Sequence, residues 1–125
     1  MLRIITLILA IYSASAFGES ISQSEIVGDW EWLGNSMTQS ADFTGLTRSG
    51  PSIKRFHSDG KYEYIAIVNG THKKPVVGTW KYKKGVLSIT RPDNGTFNNK
   101  VISYKKGVLE TQDDFLEAFS YMKKR

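Results

Sequence analysis

A chain of 125 residues with a formal charge of +5, 12% aromatic residues and no cysteine sets the first bounds. Disulfides and a lipid-modified cysteine are excluded, so the fold must rest on its hydrophobic core alone. The length suits one domain, large enough to bury a modest core without staples.

Residues 1–16 read as a cleavable signal peptide. Arg3 supplies a positive start, Ile4 to Ile11 an apolar stretch too short to span a bilayer as a helix, and Ala14-Ser15-Ala16 a small-residue cleavage site. Removing Arg3 with it leaves a charge of +4. The expectation is a periplasmic or secreted monomer with no stable membrane anchor. Residues 17–25 are polar and serine-rich, and are expected to be a flexible leader to a single domain over 26–125.

Ile26 to Leu33 reads as the first strand, with Ile26, Gly28, Trp30 and Trp32 on one face and Asp29 and Glu31 on the other. Ser36 to Pro51 has no clear period and carries three large apolar residues, Met37, Phe43 and Leu46. A loop of that length is either a binding loop or lid, or a disordered insertion, and its three apolar residues are what a lid folded over the barrel mouth would bury. Ser52–His57, closed by Ser58-Asp59-Gly60, and Lys61–Val68, closed by Asn69-Gly70, are the next two strands.

Val76–Tyr82 and Val86–Arg91 form a hairpin around Lys83-Lys84-Gly85, which suits a three-residue loop with glycine last. The motif Tyr82-Lys83-Lys84-Gly85-Val86-Leu87 returns 22 residues later as Tyr104-Lys105-Lys106-Gly107-Val108-Leu109, within a second hairpin of Phe97–Tyr104 and Val108–Gln112. Asp113 to Ala118 could form one helical turn with Asp113 as N-cap, before a last strand at Phe119–Lys123.

Eight strands in a meander imply an all-β fold, an eight-stranded antiparallel up-and-down barrel that leaves no exposed edges. Val76, Trp80 and Tyr82 share one face of the opening hairpin. Val77, Leu87 and Ile89 fall on the other, so pattern alone leaves the inward face open.

Gly28-Asp29-Trp30 on the first strand resembles the G-x-W signature that opens lipocalin-type barrels. Phe56 before Asp59-Gly60, then Gly78-Thr79-Trp80, then Gly85-Val86-Leu87, is similar to the small bacterial lipocalin-like domains. The resemblance spans roughly Ile26 to Lys124 and implies a lipocalin-like barrel, without the long helix that follows the barrel in large secreted lipocalins. A local likeness of Trp30–Thr38 and Phe43-Thr44-Gly45 to avidin-type biotin binders lacks that family's later tryptophans, since none follows Trp80.

No nucleophile elbow, zinc-protease helix or phosphate loop occurs, so no catalytic residue, metal ligand or cofactor is expected. His57 and His72 lie on or near different turns with no third ligand at zinc-like spacing. Asp59 with Glu63, and Asp113 with Asp114, are explained by turn and surface roles. The expectation is a non-enzymatic binding protein for a small apolar or amphipathic ligand, contacted by Trp30, Trp32, Phe43, Tyr62, Tyr64 and Trp80; the alternative for Trp30, Trp32, Tyr62, Tyr64 and Trp80 is that they fill the barrel interior. The alternative is a periplasmic inhibitor or immunity-type module that binds another protein through the long loop and the basic hairpin tips (Lys83, Lys84, Lys105, Lys106). Nucleic acid is not an expected partner of an exported barrel.

Overall fold

Strand follows strand as an antiparallel neighbour in the computed structural model, which describes residues 21–40, 42–47 and 50–125. The expected signal peptide and residues 17–20 lie outside the described residues. The strands are β1 (Gly28–Ser36), β2 (Ser52–Phe56), β3 (Lys61–Val68), β4 (Thr71–His72), β5 (Val76–Lys83), β6 (Val86–Arg91), β7 (Gly95–Lys105), β8 (Val108–Asp113) and β9 (Phe119–Lys124). β1 pairs with β9 at one side and β2 at the other, and β2 pairs with β3, closing an eight-stranded up-and-down barrel. β4 is a two-residue flap folded back on β3. Closure leaves no long edge for another chain to extend.

The hairpin register departs from the expected one. Lys83 pairs with Val86 and Lys105 with Val108, so each loop has two residues rather than three. Lys84 and Gly85, like Lys106 and Gly107, both have positive φ, as a two-residue type I′ turn requires. The one-residue change moves Leu87 and Ile89 to the other face. They lie opposite Tyr82 and Trp80 and point inward with them, away from Val77. The repeat thereby gains a meaning: Tyr82–Leu87 and Tyr104–Leu109 are two equivalent inward-facing cross-strand pairs.

The core fills one end of the barrel. Trp30, Phe56, Tyr62, Trp80, Leu87, Leu109 and Met122 meet there, with Phe56 5.2 Å from Tyr62 and 5.3 Å from Trp80, ring to ring. Residues 21–25, expected as flexible leader, instead join a plug that closes this end. Ser22 and Glu25 form a reciprocal capping box on the short helix α1 (Gln23–Ile26), which buries Ile21 and Ile26 in the core. Ile26 and Val27 therefore end a helix instead of starting a strand, and the Trp30 indole N–H donates to the Ile26 carbonyl at 2.8 Å.

The long loop does not cover the opposite, open end. It runs over the outer wall of β8 and β9, tied to β1 by the Asn35–Thr47 bridge. Gly34 permits that approach, because a Cβ there would meet Leu46 and the Thr47 carbonyl within 3 Å. Ser40 N–H donates to the Tyr121 hydroxyl at 2.8 Å, and Phe43 lies 5.8 Å from the Tyr121 ring. Met37 stays 71% exposed. Phe43 thus serves a wall of the barrel, where Tyr121 is wholly buried, while Met37 serves neither wall nor mouth. Asp113 to Ala118 is a turn and not a helix. The Asp113 side chain accepts from Phe115 N–H at 2.7 Å, and Glu117 at positive φ ends it.

Candidate functional site

Above the aromatic floor the barrel is not filled. A cup of about 280 Å³ opens between the β1–β2 ends, the β6–β7 turn and the turn before β9. Its apolar lining comprises Trp32, Ile89, Phe97, Leu116 and Ala118. Its polar lining comprises Asn35, Ser52, Lys54, Arg91, Asn99, Asp113 and Ser120, interleaved with the apolar residues round the barrel, and Tyr62 and Tyr64 add a ring and a hydroxyl each. That size falls just under the range of about 300–1,000 Å³ for ligand pockets and suits a small molecule.

β2 supplies the least expected side chains. Phe56 sits in the core, so the two-residue period turns Lys54 and Ser52 inward as well, one above the other. Ser52 is 1% exposed, and its hydroxyl has no hydrogen-bond partner. Among the described residues Lys54 has no ion-pair or hydrogen-bond partner either, whereas every other charged residue of the cup has one. Arg91 holds Asp93 through two bonds of 3.0 and 2.6 Å and rests its guanidinium 4.4 Å above the Tyr64 ring. Asp113 is engaged by Phe115 N–H. Burial, together with the nearby Arg91 charge, pushes the Lys54 ammonium down to about 8. Burial raises the Tyr62 phenol well above its ordinary value, so it stays a neutral hydroxyl.

Of the six expected ligand residues, the fold brings Trp32, Tyr62 and Tyr64 together in the cup. Trp30 and Trp80 lie beneath it in the core, the latter donating its indole N–H to the His57 carbonyl at 2.8 Å. Phe43 lies outside the barrel. Sequence reasoning missed Ser52, Lys54 and Arg91, although the parity of Ser52, Lys54 and Phe56 was a usable signal.

Elsewhere the polar groups are satisfied locally. Asp29 takes Arg55 bidentately at 2.8 and 3.1 Å, Arg55 approaches Glu63, and Glu63 contacts His57, forming a charge ladder on the outer face of β1, β2 and β3. The bond from Arg55 holds the Asp29 carboxyl below its usual value, and the bond from His57 does the same for Glu63. Asp59 caps its own turn through Lys61 N–H. Buried Glu110, on the outer wall under the long loop, accepts from Tyr121 at 2.6 Å, Ser103 at 3.0 Å and Gln39 at 3.3 Å. A cavity of about 150 Å³ lies beside it, between Gln39, Ser40, Phe43 and Lys105. The basic hairpin tips sit at the closed end, away from the cup. No group of acidic, histidine or cysteine side chains able to hold a metal occurs among the described residues.

The fold and site define a closed eight-stranded antiparallel barrel with one end plugged and the other forming a small amphipathic cup. The chain matches no family model, no curated protein and no solved structure.

Proposed function

We propose that the protein is an exported, non-enzymatic binding protein of lipocalin-like type that takes one small amphipathic molecule into the barrel mouth. The observation that supports this reading is the cup itself, lined by apolar side chains interleaved with hydrogen-bonding ones, above a packed aromatic floor. Export rests on the pattern of residues 1–16, and the absence of catalytic chemistry on the motifs of the chain.

The test is titration with N-phenyl-1-naphthylamine, an uncharged fluorescent probe, while following tryptophan emission. Trp32 lines the cup, so saturable one-to-one quenching that is largely lost in Trp32→Phe is expected. Probe emission that rises without saturation, or quenching that survives in Trp32→Phe, would contradict the reading.

A protein partner on the outer wall is the second reading. It draws on one observation: the long loop brings Phe43 within 6.0 Å of the Lys105 ammonium, so loop and second basic hairpin share one side of the barrel. Contacts steered by those lysines would weaken as salt is raised.

A further inference from the structure

We infer that the cup is built for an anionic amphiphile, a carboxylate with an apolar tail, whose head is held by Lys54 and the Ser52 hydroxyl. The inference rests on the binding reading above and adds the class of ligand.

Two independent features of one strand point to it. The Ser52 hydroxyl is buried and unpaired, a rare condition that calls for a partner absent from the chain itself. Two residues on, Lys54 projects into the same space as the one cup cation without a carboxylate among the described residues. Arg91, satisfied by Asp93, cannot serve as its counter-charge and repels it. The Asp113 carboxylate lies across the cup, engaged as a turn cap. A half-buried ammonium left in this way is costly, and an anion that also accepts from a neighbouring hydroxyl removes the cost.

The apolar residues of the lining say what the anion must carry. Trp32, its indole N–H taken by Asn35, offers an apolar ring, as Ile89, Phe97 and Leu116 offer apolar side chains, and Leu116 at the rim is 62% exposed. A tail running from Lys54 toward the mouth would cover them. A bare inorganic anion would leave these side chains unused, and a cationic amphiphile would face Lys54 and Arg91 together.

The experiment displaces bound N-phenyl-1-naphthylamine with dodecanoate, dodecanol and dodecyltrimethylammonium at neutral pH, and measures dodecanoate directly by calorimetry. Acetate and inorganic phosphate are head-group controls. Dodecanoate is expected to compete about tenfold better than dodecanol, the scale of one charge-assisted contact. Lys54→Met should erase that preference, so that dodecanoate and dodecanol compete equally in the variant, and Ser52→Ala should reduce it. Removing an unpaired buried charge does not threaten folding, and Lys54→Gln provides a second neutral variant. Equal competition by dodecanoate and dodecanol would overturn the anion assignment and leave the binding reading intact. So would a preference that survives both Lys54 variants, or phosphate competing as well as dodecanoate. Failure of every probe, with no calorimetric heat, would overturn both.

Discussion

The Lys124 ammonium, near the end of the last strand, sits 4.9 Å above the indole ring of Trp30 and donates to the carbonyls of Glu25 and Val27. One side chain thus fastens the N-terminal plug to the core residue it covers, joining the two ends of the described chain. Gly28 leaves room for it, since a Cβ there would meet Lys124 at 3.1 Å. Lys124→Met keeps the stem and removes the charge. It should lower unfolding free energy by about 1–2 kcal/mol, the sum of a cation–π contact and charge-assisted hydrogen bonds. Urea unfolding followed by tryptophan emission measures the loss. Hydrogen exchange at the Trp30 indole should quicken with it, and unchanged protection there would mean the plug is held without Lys124.

The three tryptophans separate floor from site. Trp30→Ala should cost about 3–5 kcal/mol, because the side chain is wholly buried in the core. Trp32→Ala should cost less than about 1.5 kcal/mol, as a half-buried ring on an open cup, yet weaken probe binding. Thermal melts and probe titrations on the same two proteins check this. A reversal of the two effects would move the site into the core.

Lys54 gives the stability a distinctive pH dependence. Its folded value of about 8 lies below the ordinary 10.5, so between these the unfolded chain holds more protons and stability rises with pH. The gain has an upper bound of about 3 kcal/mol. The charged or titratable groups facing it are Arg91 on β6, Tyr62 and Tyr64 on β3 and Asp113 on β8, with Asp93 behind Arg91. β1 and β9 present only Trp32, Asn35 and Ser120. Tyr62 and Tyr121, both raised by burial, act in the opposite sense above their ordinary value of 10.0, so the window is pH 8 to 10. Unfolding curves across it should show a rise in the parent that is flattened in Lys54→Met. An identical slope in both would show that the ammonium is not desolvated.

The long loop should matter for the wall and not for the cup. Replacing residues 37–46 by a Gly/Ser linker removes the Ser40 bond to Tyr121 and the Phe43 ring above it. A loss of about 1–3 kcal/mol is expected, with probe affinity unchanged. Intact stability with lost binding would restore the lid that its apolar residues first suggested.

Much of this architecture was legible in the chain, because strands half-buried in a barrel write a two-residue period and tight turns write glycine. What escaped were features that depend on a single residue of register. Lys83-Lys84-Gly85 permits either loop length, and only the positive φ of Lys84 decides that Leu87 and Ile89 face inward. The plug was readable from Ser22-Gln23-Ser24-Glu25, a capping box directly before Ile26, but a polar composition hid it. The path of the long loop was not readable, since Phe43 could serve a mouth or a wall equally well. Lys54 escaped because its apolar neighbour Ile53 draws attention to the wrong face. A barrel with a polar cup turns part of its polar face inward.

The most direct test of an open-ended binding cup is the response of the three tryptophan indole N–H signals to an amphiphile in a heteronuclear NMR titration. Each has a different partner: the Ile26 carbonyl for Trp30, Asn35 for Trp32 at 3.3 Å, and the His57 carbonyl for Trp80. Added dodecanol or dodecanoate should shift the Trp32 signal saturably, together with the amides of Asn99 and Ser120, while Trp30 and Trp80 hold still. Shifts confined to Lys83–Gly85 and Lys105–Gly107 at the closed end, or none at all, would contradict the account.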